Sequence, residues 1–179
     1  METSATVDLW DAIGDGAARE SPLWEEALRP AELQEREPIF SALAREDYRL
    51  GLETIYEGYL LHYGTSRLFA PEDGDTALLL GDYLYAHGLV RIAEHHVVDA
   101  VADLAELISI CAQVRAEGRS DDGPAWAASA ALLGDGVLRN AREVFREEAS
   151  SVALLSLARG AVGEAAVERA LQAHLSRVG

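Results

Sequence analysis

His95, His96, Asp99, Asp103 and Glu106 have the types and spacing of a metal-ligating helix, since steps of three and four residues set carboxylates and an imidazole on one face. The direction of that face argues against a site. On a wheel turning ~100° per residue these positions lie opposite the apolar stripe of Val97, Val101, Leu104 and Ile108, so a solvated acidic face is expected. Asp82 follows Gly81 in an otherwise apolar run, where a carboxylate must be paired, and an arginine or a tyrosine hydroxyl is its expected partner. Glu72-Asp73 and Asp121-Asp122 each sit beside glycine and proline and read as turns. Ser66, Ser129 and Ser150-Ser151 lack the nucleophile-elbow glycine pair of a serine hydrolase, and no phosphate-binding or dinucleotide-binding glycine pattern occurs. Lysine is absent, so Schiff-base chemistry is excluded and every fixed cation is an arginine.

The elements that would position these groups are helices. Ala, Leu, Glu and Arg dominate, and β-branched residues rarely alternate with polar ones, so the expected class is all-α, a single-domain helical bundle. Prolines at 22, 30 and 38 cut the first 37 residues into short helices, expected to pack on a body spanning 38–179. Ser21 before Pro22 reads as an N-cap. Tyr48, Leu52, Ile55, Tyr56, Tyr59 and Tyr63 recur at helical spacing up to Gly64. Asp75 is the expected cap of the next helix, which is apolar nearly all the way round and is therefore expected at the buried centre. Another helix runs to Gly118, a small-residue helix covers Trp126 to Leu133, one long helix is expected from Val137 to Leu155, and a last one carries Val167 to Val178.

With 31 acidic and 15 basic residues the formal charge is -16, which repels phosphate backbones and anionic membrane surfaces, so no nucleic-acid partner is expected. Met1-Glu2-Thr3-Ser4 lacks the features of a secretion signal, and no apolar stretch approaches the ~20 residues of a membrane span. The single cysteine, Cys111, lies in an apolar run and reads as packing in a reducing cytosol. A cytoplasmic protein without stable membrane insertion is the expectation.

The stretch Tyr59-Leu60-Leu61-His62-Tyr63-Gly64, a short loop, and then Thr76-Ala77-Leu78-Leu79-Leu80-Gly81-Asp82-Tyr83-Leu84-Tyr85-Ala86 resembles the all-trans polyprenyl diphosphate synthases. In that family a helix reading L-I-H-D-D-x-x-D precedes a loop and a helix reading A-x-L-x-G-D-x-L-x-x-x-A, and Gly81-Asp82-x-Leu84 is the best match. Glu148 to Ala161 looks like the family's K-T-A-x-L helix, and Leu171 to Gly179 like the segment before its second aspartate-rich motif. The similarity runs from about Phe40 to Gly179 in family order, so the implied fold is a truncated isoprenoid synthase bundle.

The departures define what the resemblance implies. Tyr63, Gly64 and Thr65 stand where the family's first aspartates follow His62, Glu148 stands at its lysine, and the chain ends at Gly179 before a second aspartate cluster. Trapped divalent ions neutralise the charge that builds on a leaving diphosphate, so without those carboxylates no catalytic residue and no cofactor are expected, Mg²⁺ entering only through a catalytic partner. Such losses resemble the non-catalytic small subunits of heteromeric prenyl synthases. The leading expectation is a partner subunit, with a stand-alone binder of a prenyl chain or other lipid as the alternative and an active synthase or terpene cyclase third. A homo- or hetero-oligomer is expected, its interface on the Tyr48–Tyr63 and Thr76–Ala93 segments around Tyr59, Tyr83, Tyr85 and Leu89.

Overall fold

The computed structural model describes residues 8–178, so Met1-Glu2-Thr3-Ser4 and Gly179 lie outside the described residues. Asp8 caps α1 (Leu9–Glu20) by accepting hydrogen bonds from the Trp10 and Asp11 amides. Ser21 caps α2 (Pro22–Glu26) through the Leu23 amide, with proline at the first helical position as the sequence indicated. Three short 3₁₀ turns then lead to α3 (Arg49–Tyr63), which ends at Gly64. The bundle continues through α4 (Gly74–Ala93), α5 (Val98–Ala116), α6 (Gly123–Ala131), α7 (Arg139–Glu148), α8 (Val152–Val162) and α9 (Glu164–Val178). Among the described residues there is no strand, and the molecule is an all-α bundle. No described helix is long and apolar enough to cross a membrane.

The buried centre is α3, not α4. Every residue from Gly51 to Leu60 is buried, enclosed by α4, the Phe40–Leu43 turn, α6 and α9. On α4 only Leu80, Gly81, Leu84, Gly88 and Ile92 are buried, a single helical face, while Leu78, Leu79 and Val90 stand in the open. An apolar circumference implies burial only if the chain supplies a cover, and none of the described elements covers the outer side of this helix. The α4 cap is Asp73, whose carboxylate accepts from the Thr76 amide at 2.8 Å, and not Asp75. Asp75 falls inside the first turn, where its charge suits the helix dipole.

Two further expectations are corrected. The Val137–Leu155 stripe is split between α7 and α8, because Ala149 takes the left-handed conformation at φ 53° and the Ser150-Ser151 pair, a poor helix interior, turns the chain. The second is Asp103. Its neighbours His95, His96 and Asp99 are exposed, but Asp103 turns inward, where Arg142 Nη1 donates to it at 2.6 Å and the Gly134 amide at 2.9 Å. The buried apolar stripe of α5 is Ala100, Leu104, Leu107, Ile110, Cys111 and Val114, rotated toward Asp103 from the one read in the sequence.

The main core joins α3 to α5–α9 around Phe40, Tyr56, Trp126, Phe145 and Leu154. A smaller core lies under α1 and α2, where Trp10, Ile13 and Ala17 meet Leu68, Phe69, Leu80 and Leu84.

Candidate functional site

The antiparallel pair of α3 and α4 positions the residues of the resemblance, and glycines set how closely the two helices approach. A Cβ on Gly58 would stand 2.8 Å from the Gly81 carbonyl oxygen, and one on Gly88 would stand 2.8 Å from that of Gly51. Gly51 and Gly58 are two helical turns apart, as are Gly81 and Gly88, so the two contacts share one seam. Backbone meets backbone along it. The glycine of the Gly81-Asp82 pair is thus a packing residue, and it also seats the His62 ring, since a Cβ at Gly81 would fall 2.6 Å from Nε2.

This end of the pair gathers His62, Tyr63, Asp82 and Tyr85. His62 stacks on Tyr85 with centroids 5.0 Å apart and lies 5.6 Å from Tyr63. Asp82 is not buried and has neither an arginine nor a tyrosine partner. Its side chain is 73% exposed, with Oδ1 3.2 Å from His62 Nε2. It adjoins a seam glycine, and its carboxylate reaches back to His62 of α3 while most of the side chain stays in water. Gly64 closes α3 and lets the end of α9 pass, since a Cβ there would stand 2.6 Å from the Arg177 carbonyl oxygen. Glu148 is far in sequence, exposed at the end of α7 before the break, and has no part in this group.

Of the four residues expected at an interface, Tyr59 is corrected outright. It is fully buried, its hydroxyl donating to Asp122 at 2.7 Å, so it is core and unavailable to a partner. The same burial removes Tyr48 and the run from Gly51 to Leu60 from any docking surface. Tyr83, Tyr85 and Leu89 are half-buried on α4, with the Tyr83 ring tilted against Trp24 at a centroid distance of 4.1 Å.

Two buried networks escaped the sequence reading. In the first, Arg67 is enclosed between Glu53 and Glu57, with Nη2 2.5 Å from Glu53 and Nε 2.6 Å from Glu57. Ser41 Oγ and the Ile39 amide complete Glu53, and Ser66 Oγ and the Arg67 amide complete Glu57. Burial alone would lower the Arg67 pKa, but the two carboxylates outweigh it and hold the guanidinium charged. In the second, Tyr59 and Arg115 meet the Asp122 carboxylate, His174 Nε2 lies 3.6 Å from it, and His174 Nδ1 bonds Tyr56 at 2.9 Å. Burial works against the Asp122 charge, yet His174, Tyr59 and Arg115 hold its carboxyl below the usual range. Asp122 is therefore an ion-pair anchor and more than a turn residue. The sequence signal for the first network is Glu53 and Glu57, one helical turn apart among apolar neighbours, with Arg67 just beyond the helix.

The chemistry open to these groups is narrow. Burial lowers the His62 pKa, against the opposing pull of Asp82, so the imidazole is neutral near pH 7. Burial raises Tyr56, Tyr59, Tyr63 and Tyr85, which stay protonated, and pushes the Cys111 thiol up. Arg115, whose guanidinium lies 5.8 Å from the Tyr63 ring, is tied to Asp122 and Tyr59. No group of three or more His, Cys, Asp and Glu side chains among the described residues is disposed to hold a metal ion. Phe40, Tyr56, Tyr59, Trp126 and His174 fill the interior beside α3. The cleft beside Tyr63 and Arg115 is open and shallow. No protein-family model, curated protein or solved structure matches the chain.

Proposed function

We propose that this chain is a non-catalytic, isoprenoid-synthase-like partner subunit of a heteromeric polyprenyl diphosphate synthase. The reading begins from the resemblance of the His62 and Gly81-Asp82 segments. One observation carries it further: the outer face of α4, which bears that motif, is an apolar stripe with nothing on it. Leu78, Leu79 and Val90 are 51%, 60% and 57% exposed, Ala86 and Ala93 lie between and beyond them, and Leu89 borders the row. Such a row on the most tightly packed helix pair of a bundle is what an interface helix presents before its partner arrives. The protonated phenols, the neutral imidazole and the tethered Arg115 favour a scaffolding role over diphosphate chemistry.

The test is prenyl transfer with labelled isopentenyl diphosphate, an allylic diphosphate and Mg²⁺, using this chain, a polyprenyl synthase from the same genome, and the two together. The expected result is no product from this chain alone, and a complex in which the synthase changes its rate or product chain length. Product above background from this chain alone, or a synthase unchanged in mass, rate and product on mixing, overturns the reading.

A further inference from the structure

Asp82 decides what can cover α4. Residues 75, 79, 82, 86, 90 and 93 follow helical steps of three and four, so Asp82 stands within the apolar stripe between Leu79 and Ala86. Any helix laid along that stripe takes the Asp82 carboxylate out of water. A carboxylate so covered must meet a cation or be lost as an unpaired buried charge. Among the described residues no arginine pairs with Asp82. His62, whose Nε2 lies 3.2 Å away, is neutral, and Arg91, the single basic residue of α4 besides histidine, donates instead to Thr54 Oγ1 at 2.7 Å and to the Ala12 carbonyl at 2.9 Å. The other charged residues of the row and its C-terminal end are also acidic, with Asp75 in the first turn and Glu94 at the C-cap, both exposed, while Arg19 of α1 lies toward Tyr83.

From this complementarity we infer that the outer face of α4 docks a helix of a different subunit, whose apolar stripe is interrupted by one arginine or lysine that pairs with Asp82. The inference rests on the partner-subunit reading and names the partner's chemistry. A second copy of this chain is the poorer occupant. Face to face, its α4 would offer Asp82 the leucines, valine and alanines of the same stripe, and each copy carries a formal charge of -16.

The experiment uses two helical peptides with the same leucine–alanine stripe, one with arginine and one with glutamate at its middle position. Their binding to the whole chain is followed by fluorescence anisotropy near physiological salt. The arginine peptide is expected to bind at least about tenfold more tightly, and Asp82→Asn to remove most of that preference. Leu79→Gln with Val90→Gln, both at exposed positions, should weaken both peptides together. A preference unchanged by Asp82→Asn overturns the inference, because the attraction would then be to the net charge alone. So does a wild-type chain that binds neither peptide. So does a chain that is dimeric at low micromolar concentration and made monomeric by the α4 variants, which gives the face to a second copy. No prenyl transfer is involved, so a failure here leaves the synthase assay free to succeed, and a failed synthase assay leaves this result standing.

Discussion

Helices α3 and α4 lie antiparallel along one glycine seam and teach opposite lessons about burial. Helix α3 carries Glu53 and Glu57 in its middle, where it is enclosed on every side, while α4, the more uniformly apolar by sequence, leaves one side open. The difference is one of supply. Arg67, Ser41, Ser66 and three backbone amides satisfy the two carboxylates, so the polar helix can be covered. No described element of this chain reaches the outer side of α4, so the apolar helix is not.

The sharpest way to break the α3 side is Arg67→Leu. It strands two buried carboxylates, and a loss of roughly 3–5 kcal/mol is expected by urea titration, enough to unfold a marginal domain. Adding Glu53→Gln and Glu57→Gln should return much of it, because the penalty belongs to the unpaired charges. An Arg67→Leu loss below about 1 kcal/mol would mean that water or protons reach the carboxylates, and α3 would no longer count as sealed.

On α4 the contrast lies between neighbours. Leu80→Ala should cost roughly 2–5 kcal/mol through transfer and cavity terms, and Leu79→Ala no more than about 0.5 kcal/mol. Equal losses at the two positions would show that the free chain covers its outer face after all. The all-α class, the Ser21 cap, the end of α3 at Gly64 and the small-residue character of α6 were legible because each follows from local preference or spacing. The centrality of α4 was not. Hydrophobicity along one helix reports that a face must be covered, and whether this chain or another covers it depends on contacts distant in sequence. Arg67 lies 10 and 14 residues from its carboxylates, and Asp122 lies 63 residues from Tyr59, so both networks arise from folding more than from any motif. At the candidate site the sequence singled out Gly81 and His62, but their direct contact was not legible in it.

The smallest effect expected belongs to His62, which joins the two helices at the seam's end. Burial holds its folded pKa below the unfolded value of 6.5, and Asp82 partly restores it. The folded chain therefore resists the proton. Above pH 6.5 the imidazole is neutral in both states and its contribution to stability is fully present. As the pH falls toward the folded pKa, the unfolded chain takes up the proton first, so stability declines over that window and then levels off. Its neighbour Asp82 is 73% exposed and solvent screens the site, so the decline should stay under about 1 kcal/mol. Asp82→Asn removes the one nearby carboxylate that favours the imidazolium, so it should lower the folded pKa further and widen the window. Histidine-resolved NMR titration of wild type and variant reads this directly. A pKa that rises on Asp82→Asn would mean that the carboxylate does not act on the ring. A wild-type value that rises when the arginine peptide docks fails the same comparison from the other side, because a cation brought to Asp82 must cost the imidazolium its support.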